Sequence, residues 1–145
     1  MDFSRTNWLA IAACVVAAMG IGFAWYGLLF VQQWMAGNGI TMDEATMKIF
    51  KNGVEQPNSA TPMIVNSVVM LVYAFIMNWL VNRTNSTTWM SGATVGLAVG
   101  VVGLLNHIVS NMFAFRASEL AMVDGSYFVA VFVVMGAILG GWRKK

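Results

Sequence analysis

The chain has 145 residues, of which 59% are hydrophobic and only 10% are Asp, Glu, Lys or Arg, against roughly 25% charged in an ordinary soluble domain. Eight basic and six acidic side chains are too few to keep a surface of this size in water, which excludes an ordinary cytosolic enzyme and a disordered tail. A net charge of +2 with no basic stripe argues against a nucleic-acid partner, and a lone cysteine, Cys14, excludes a disulfide-stapled module.

A hydrocarbon core about 30 Å thick is crossed by roughly 20 apolar residues in a helix. Four segments qualify: residues 8–31, 62–81, 92–115 and 126–142. They are long and continuous rather than short and alternating, so they read as helices and not as barrel strands. The sequence predicts an all-α integral membrane protein, a four-transmembrane-helix bundle forming one membrane domain over residues 1–145. The first span holds about 24 apolar residues, too many for a signal-peptide core of about 7–15.

The first loop is the longest. Thr41-Met42-Asp43-Glu44 has the spacing of a capping box and Asn52-Gly53 that of a helix stop. A short interfacial helix is therefore predicted over residues 42–51, apolar face down on the membrane. The later loops are short and polar and make consecutive helices antiparallel. Arg5, Arg83, Arg143, Lys144 and Lys145 then share one side, against Lys48, Lys51 and Arg116 on the other. The basic excess places both termini in the cytoplasm. Trp8, Trp79, Trp89 and Trp142 fall at the cytoplasmic ends and Trp34 and Tyr127 near the outer ends, as an aromatic belt would.

Small residues mark the packing faces. Gly92, Gly96 and Gly100 recur every fourth residue on the third span with Gly103 beside them, and Gly136 and Gly140 do so on the fourth. Such stripes let helix backbones approach closely. Ala13, Ala17, Gly20, Ala24 and Gly27 form a third stripe on the first span. With three such faces, one is free for an oligomer contact.

Uncharged polar residues concentrate in the outer half, where they face protein rather than lipid. His107 lies about 27 Å along the third helix from Trp89. It shares a face with Ser110 and Asn111, and Asn106 is at similar depth. Asn66, Tyr26, Asp124 and Tyr127 contribute from the other spans. These eight residues are the candidate ligand-binding set, with His107 as the proton-shuttling or ligand-binding group and Asp124 or Tyr26 as its partner. An interhelical hydrogen-bond network is the plainer reading of the same residues. No Cys–His zinc pattern, phosphate loop, nucleophile elbow or catalytic carboxylate pair is present, so no catalytic residue, metal site or cofactor is predicted. His107 is the one candidate axial ligand for a haem or chlorophyll-type pigment.

Asn7-Trp8-Leu9-Ala10, the stretch from Gly22-Phe23-Ala24-Trp25-Tyr26-Gly27 to Leu28-Leu29-Phe30, Trp34-Met35, Ile40-Thr41-Met42-Asp43-Glu44, Asp124-Gly125-Ser126-Tyr127 and Met135-Gly136-Ala137-Ile138-Leu139-Gly140-Gly141-Trp142 follow one another in an order and spacing that resembles the small bacterial membrane proteins of domain of unknown function 1761. The resemblance covers almost the whole chain. It implies four spans, a bacterial source and no assigned activity. The usual family form has a proline after the Trp-Tyr-small stretch; here Leu28 and Leu29 follow Gly27 and supply none.

The resulting expectation is a multi-pass protein of the bacterial inner membrane, surrounded by lipid. It is read as a structural or accessory subunit rather than an enzyme, homo-oligomeric or bound to a larger membrane complex. The alternatives are a small-solute or ion carrier with its polar site in the outer half, and a pigment- or haem-associated subunit using His107.

Overall fold

The computed structural model describes residues 6–142; Arg5, Arg143, Lys144 and Lys145, four of the five cations on the more basic side, lie outside the described residues. The element order is α1 (Trp8–Ala24), a π-helical turn (Trp25–Leu29), α2 (Val31–Gly37), β1 (Ile40–Asp43), β2 (Lys48–Lys51), β3 (Val54–Glu55), α3 (Thr61–Arg83), α4 (Trp89–Phe113) and α5 (Ser118–Gly141). Four helical stretches are long and apolar enough to cross a membrane: Trp8–Leu29, Thr61–Arg83, Trp89–Phe113 and Ser118–Gly141. They run antiparallel in sequence. One end of the bundle carries Trp8 and Trp142, and the other carries the sheet.

The helix starts follow from local chemistry. Asn7 caps α1 by accepting from the Leu9 and Ala10 amides, and its own side-chain amide donates to the Trp142 carbonyl at 3.0 Å. Pro62 stands in the first turn of α3, where its missing N–H costs nothing. Thr88 and Ser91 form a reciprocal capping box at the start of α4. α5 begins at Ser118, well before position 126, so Asp124 and Tyr127 lie inside the helix.

α5 is the central element, with 44% of its apolar window buried against 17–22% for the other three. Its contact with α4 is paved with glycine. A Cβ on Gly92 would strike the Gly136 carbonyl and one on Gly96 the Phe132 carbonyl, while one on Gly100 would come within 2.7 Å of the Val129 Cα. Gly136 and Gly140 answer from α5, meeting Gly92 and the Thr88 carbonyl. Gly103 lies a step further along, against the Phe128 ring. On its other side α5 packs on α1 and α3. Ala10, Cys14 and Ala18 of α1 are buried with Met70, Ala74, Met77 and Val81 of α3 around Val131, Met135 and Leu139. The Cys14 thiol donates to the Met135 carbonyl at 3.7 Å.

The remaining helix faces are apolar and exposed: Leu9, Val16 and Phe23 on α1, Val65, Val68 and Val72 on α3, and Val102, Leu105 and Val109 on α4. Spacings of three, four and seven put each set on one stripe. Such surfaces suit a lipid solvent. The four Trp residues at the termini end are exposed, as headgroup anchors are.

Three expectations are corrected. The helix over residues 42–51 is replaced by an antiparallel meander of order β1-β2-β3. Ile40 pairs with Lys51, Asp43 with Lys48, and Lys51 with Val54. Asn52 and Gly53 both have positive φ, at 51° and 81°, which is the two-residue hairpin turn that Asn-Gly favours. Asp43 holds the other turn, accepting from the Ala45 amide at 3.0 Å and from the Thr46 hydroxyl at 2.6 Å. Second, the small stripe of α1 that meets the bundle is Ala10–Cys14–Ala18; Gly20 and Gly27 are exposed, and nothing lies within 4 Å of a Cβ built on Gly20. Third, Tyr127 is buried rather than a belt residue.

Two predictions follow from this packing. Gly96→Val should cost about 1–3 kcal/mol through overpacking, whereas Gly20→Ala should be neutral or stabilise by up to about 1 kcal/mol from helix propensity, both read from detergent-titrated unfolding. The hydrogen bonds from Thr46 and Ala45 hold the Asp43 carboxyl below its ordinary value. A lowered folded pKa adds stability above the unfolded value of about 3.9, lost as pH falls through the folded one. Amide-exchange protection of Ala45 should therefore be level from neutral pH down to about 5 and drop below about 4; protection unchanged in strong acid contradicts this.

Candidate functional site

The polar interior of the sheet-end half is organised by the π turn. The Phe30 amide bonds to the Trp25 carbonyl, five residues back, at 2.9 Å, and Phe30 itself leaves helical geometry at φ −125°, ψ 22°. Successive side chains of an α-helix diverge by about 100°. A wider turn reduces that angle, and here the neighbours Trp25 and Tyr26 both reach α5. The Trp25 indole donates to the Val123 carbonyl at 3.1 Å, and the Tyr26 hydroxyl donates to the Asp124 carboxylate at 3.0 Å. The helix thus breaks at Phe30 without a proline, and π turns of this kind are frequent at functional sites.

Aromatic rings surround this pair of bonds. Tyr26 lies 5.1 Å from Tyr127 and, across the break, 5.6 Å from Trp34, centroid to centroid. Tyr127 meets Phe128 edge-on at 6.0 Å. Phe128 then touches His107 of α4 at 4.9 Å and Tyr73 of α3 at 6.1 Å. It is the place where three spanning helices meet. Edge-on and tilted contacts at these distances are favourable beyond the area they bury. Asp124 stands about 9 Å into α5. Its half-buried carboxylate accepts a hydrogen bond from a neutral phenol, and the one ion pair among the described residues is Lys48–Glu55, far along the sheet.

Of the eight candidate residues, the structure brings Tyr26, Asp124 and Tyr127 into one cluster. His107 joins it only through the Phe128 ring. Asn66 reaches from α3 to the Met19 sulfur of α1 at 3.4 Å. The face expected of His107, Ser110 and Asn111 is divided: His107 is half-buried, Ser110 exposed, and Asn111 buried with its Nδ2 unpartnered. Asn106 is exposed. Asp124 and Tyr26 partner each other and not His107. Trp25, Trp34 and Phe128 belong to the cluster and were not among the candidates. Their signal is two adjacent aromatic pairs, Trp25-Tyr26 and Tyr127-Phe128, at matching depth on two spans.

The family model described as Protein of unknown function (DUF1761) matches residues 9–140. The chain belongs to this family. The DUF1761 match runs from the first turn of α1 to the last turn of α5, and so takes in the π turn, the sheet and the whole aromatic cluster. Its description assigns no activity. Searches of curated proteins and of solved structures returned no match.

In this DUF1761 chain, Tyr26→Phe removes the donor that satisfies Asp124. An uncompensated half-buried carboxylate should cost about 1–3 kcal/mol of stability. Asp124→Asn keeps an oxygen for the phenol and should lose less. Thermal unfolding in detergent orders the two; equal stability of Tyr26→Phe and wild type means that the bond carries no weight.

Proposed function

We propose that this DUF1761 protein is a structural or accessory subunit of the bacterial inner membrane, with both termini in the cytoplasm, working as a homo-oligomer or bound to a larger membrane complex. The observation that carries the reading is a polar pair on a lipid-side surface. Asn106 and Ser110 are exposed on α4, one turn apart, among the exposed Val102, Leu105 and Val109. Asn106 lies about 10 Å from the sheet end of its helix, and its amide has no recorded partner among the described residues. Lipid tails offer none, and an amide left without one in an apolar medium costs roughly 2–7 kcal/mol. A neighbouring membrane helix with a polar side chain removes that cost, and interhelical hydrogen bonds of this kind contribute about 1–2 kcal/mol in model helices. The basic excess on the side of Arg83 supports the orientation.

Native mass spectrometry from a mild detergent tests the assignment. The wild-type chain should be retained as a homo-oligomer or in stoichiometric complex with a larger partner. Asn106→Leu combined with Ser110→Ala should release a folded monomer. A wild-type chain that flies alone at its own mass overturns the reading.

A further inference from the structure

At the sheet end the loops enclose a cleft of about 330 Å3. Its walls come from three places in the chain: the link from α2 to β1 at Asn38 and Gly39, the β2–β3 turn at Lys51 and Asn52, and the α4–α5 turn at Phe115 and Arg116. Each wall is fixed. The Asn52 amide donates to the Gly39 carbonyl at 2.9 Å. The Asn52 side-chain oxygen occupies the space where a side chain at position 39 would begin, and the backbone there is left-handed at φ +63°, which favours glycine. The third wall is a helix stop. The Arg116 amide bonds to the Asn111 carbonyl at 3.0 Å and the Phe115 amide to the Met112 carbonyl at 3.2 Å. That pattern demands a left-handed residue, and Phe115 supplies it at φ +54°.

The cleft is basic. Lys51 and Arg116 line it and no acid does. Among the described residues neither is in an ion pair. α5 starts directly beyond; its N-cap Ala117 offers no side-chain acceptor, but the Leu120 amide bonds to the Ala117 carbonyl at 3.2 Å and Glu119 stands in the first turn, so Lys51 and Arg116 are the groups that favour an anion here. The surroundings are apolar. In the strand register Lys51 shares a sheet face with Ile40, Met42, Ile49 and Val54, and the last three are exposed. Phe115 is 97% exposed, at a position where glycine would relieve the backbone. The α4–α5 turn joins two membrane-crossing helices, so the cleft stands at headgroup level.

We propose that this cleft binds the phosphate of an anionic phospholipid. Lys51 and Arg116 grip the phosphodiester, and Phe115 and the Met42–Ile49–Val54 face lie among the tops of the acyl chains. Paired cations match the charge, and a guanidinium can present two parallel donors to phosphate. Exposed apolar side chains beside the cations select a lipid over a dissolved anion, because they lose water only against a membrane.

The test uses the full chain, with native mass spectrometry after incubation with phosphatidylglycerol, with diacylglycerol of the same acyl chains, or with inorganic phosphate. The wild type should retain one phosphatidylglycerol and no diacylglycerol, and millimolar phosphate should not displace the lipid. K51Q/R116Q should weaken retention at least tenfold, and K51R/R116K should restore it. Phe115→Ala should weaken retention severalfold while leaving the circular dichroism unchanged. Equal retention by K51Q/R116Q and wild type overturns the proposal. So does displacement by inorganic phosphate, which would make the cleft a solute site, and so does retention of diacylglycerol, which would make the phosphate irrelevant.

Discussion

Between α4 and α5 the two backbones are in contact: Gly92 faces Gly136 and Gly140, Gly96 faces the Phe132 carbonyl, and Gly100 faces the Val129 Cα. In lipid, helices gain little from burying apolar side chains, since the tails around them are equally apolar. Association then depends on dispersion at short range, and glycine is what makes the range short. With α4 held this closely, α5 has its opposite side free for α1 and α3, where the fit is of another kind. There the long Met70, Met77 and Met135 fill the space left by Ala10, Cys14 and Ala18. Methionine is flexible enough to complete such a contact. The bundle is therefore two interfaces on one central helix, one made by removing side chains and the other by matching long ones to short.

A central helix that carries an acid needs something to satisfy it. The π turn does this by bringing Tyr26 onto Asp124 while Trp25 takes the Val123 carbonyl. The same turn ends the first span early and tips α2 back toward α5, where Gly37 rests on Leu120. One irregularity in α1 thus places the polar bond, the ring cluster and the start of the sheet. The ring cluster lies in the sheet-end half; toward the termini Trp8 of α1 instead meets Phe75 of α3 edge-on, with ring centroids 5.9 Å apart.

The four spans were legible because lipid imposes one simple demand, an unbroken apolar helix of sufficient length, and each run meets it. The sheet was not. Thr41 to Glu44 has helix-start spacing, but the Asp43 turn and the Asn52-Gly53 turn outweigh it, and both act through backbone conformations that spacing alone does not reveal. The start of α5 was obscured because Glu119 and Asp124 read as loop residues until Tyr26 and the helix N-terminus account for them. The side of α1 was misread for a different reason. Small residues occur on two of its faces, and only the partner helix decides which is used. Tyr26, Asp124 and Tyr127 could each be named from polarity and depth. That Trp25, Trp34 and Phe128 close around them required knowing that α1 breaks at Phe30.

The bond from Asn7 to the Trp142 carbonyl has a topological consequence. It fastens the first and last turns of the bundle to each other at one membrane face. An even number of spans returns the chain to the side from which it started, so a second copy of the same four helices joined in line would thread in the same direction as the first. Four spans with adjacent ends form a unit that can be duplicated into a longer transmembrane chain without inverting any helix.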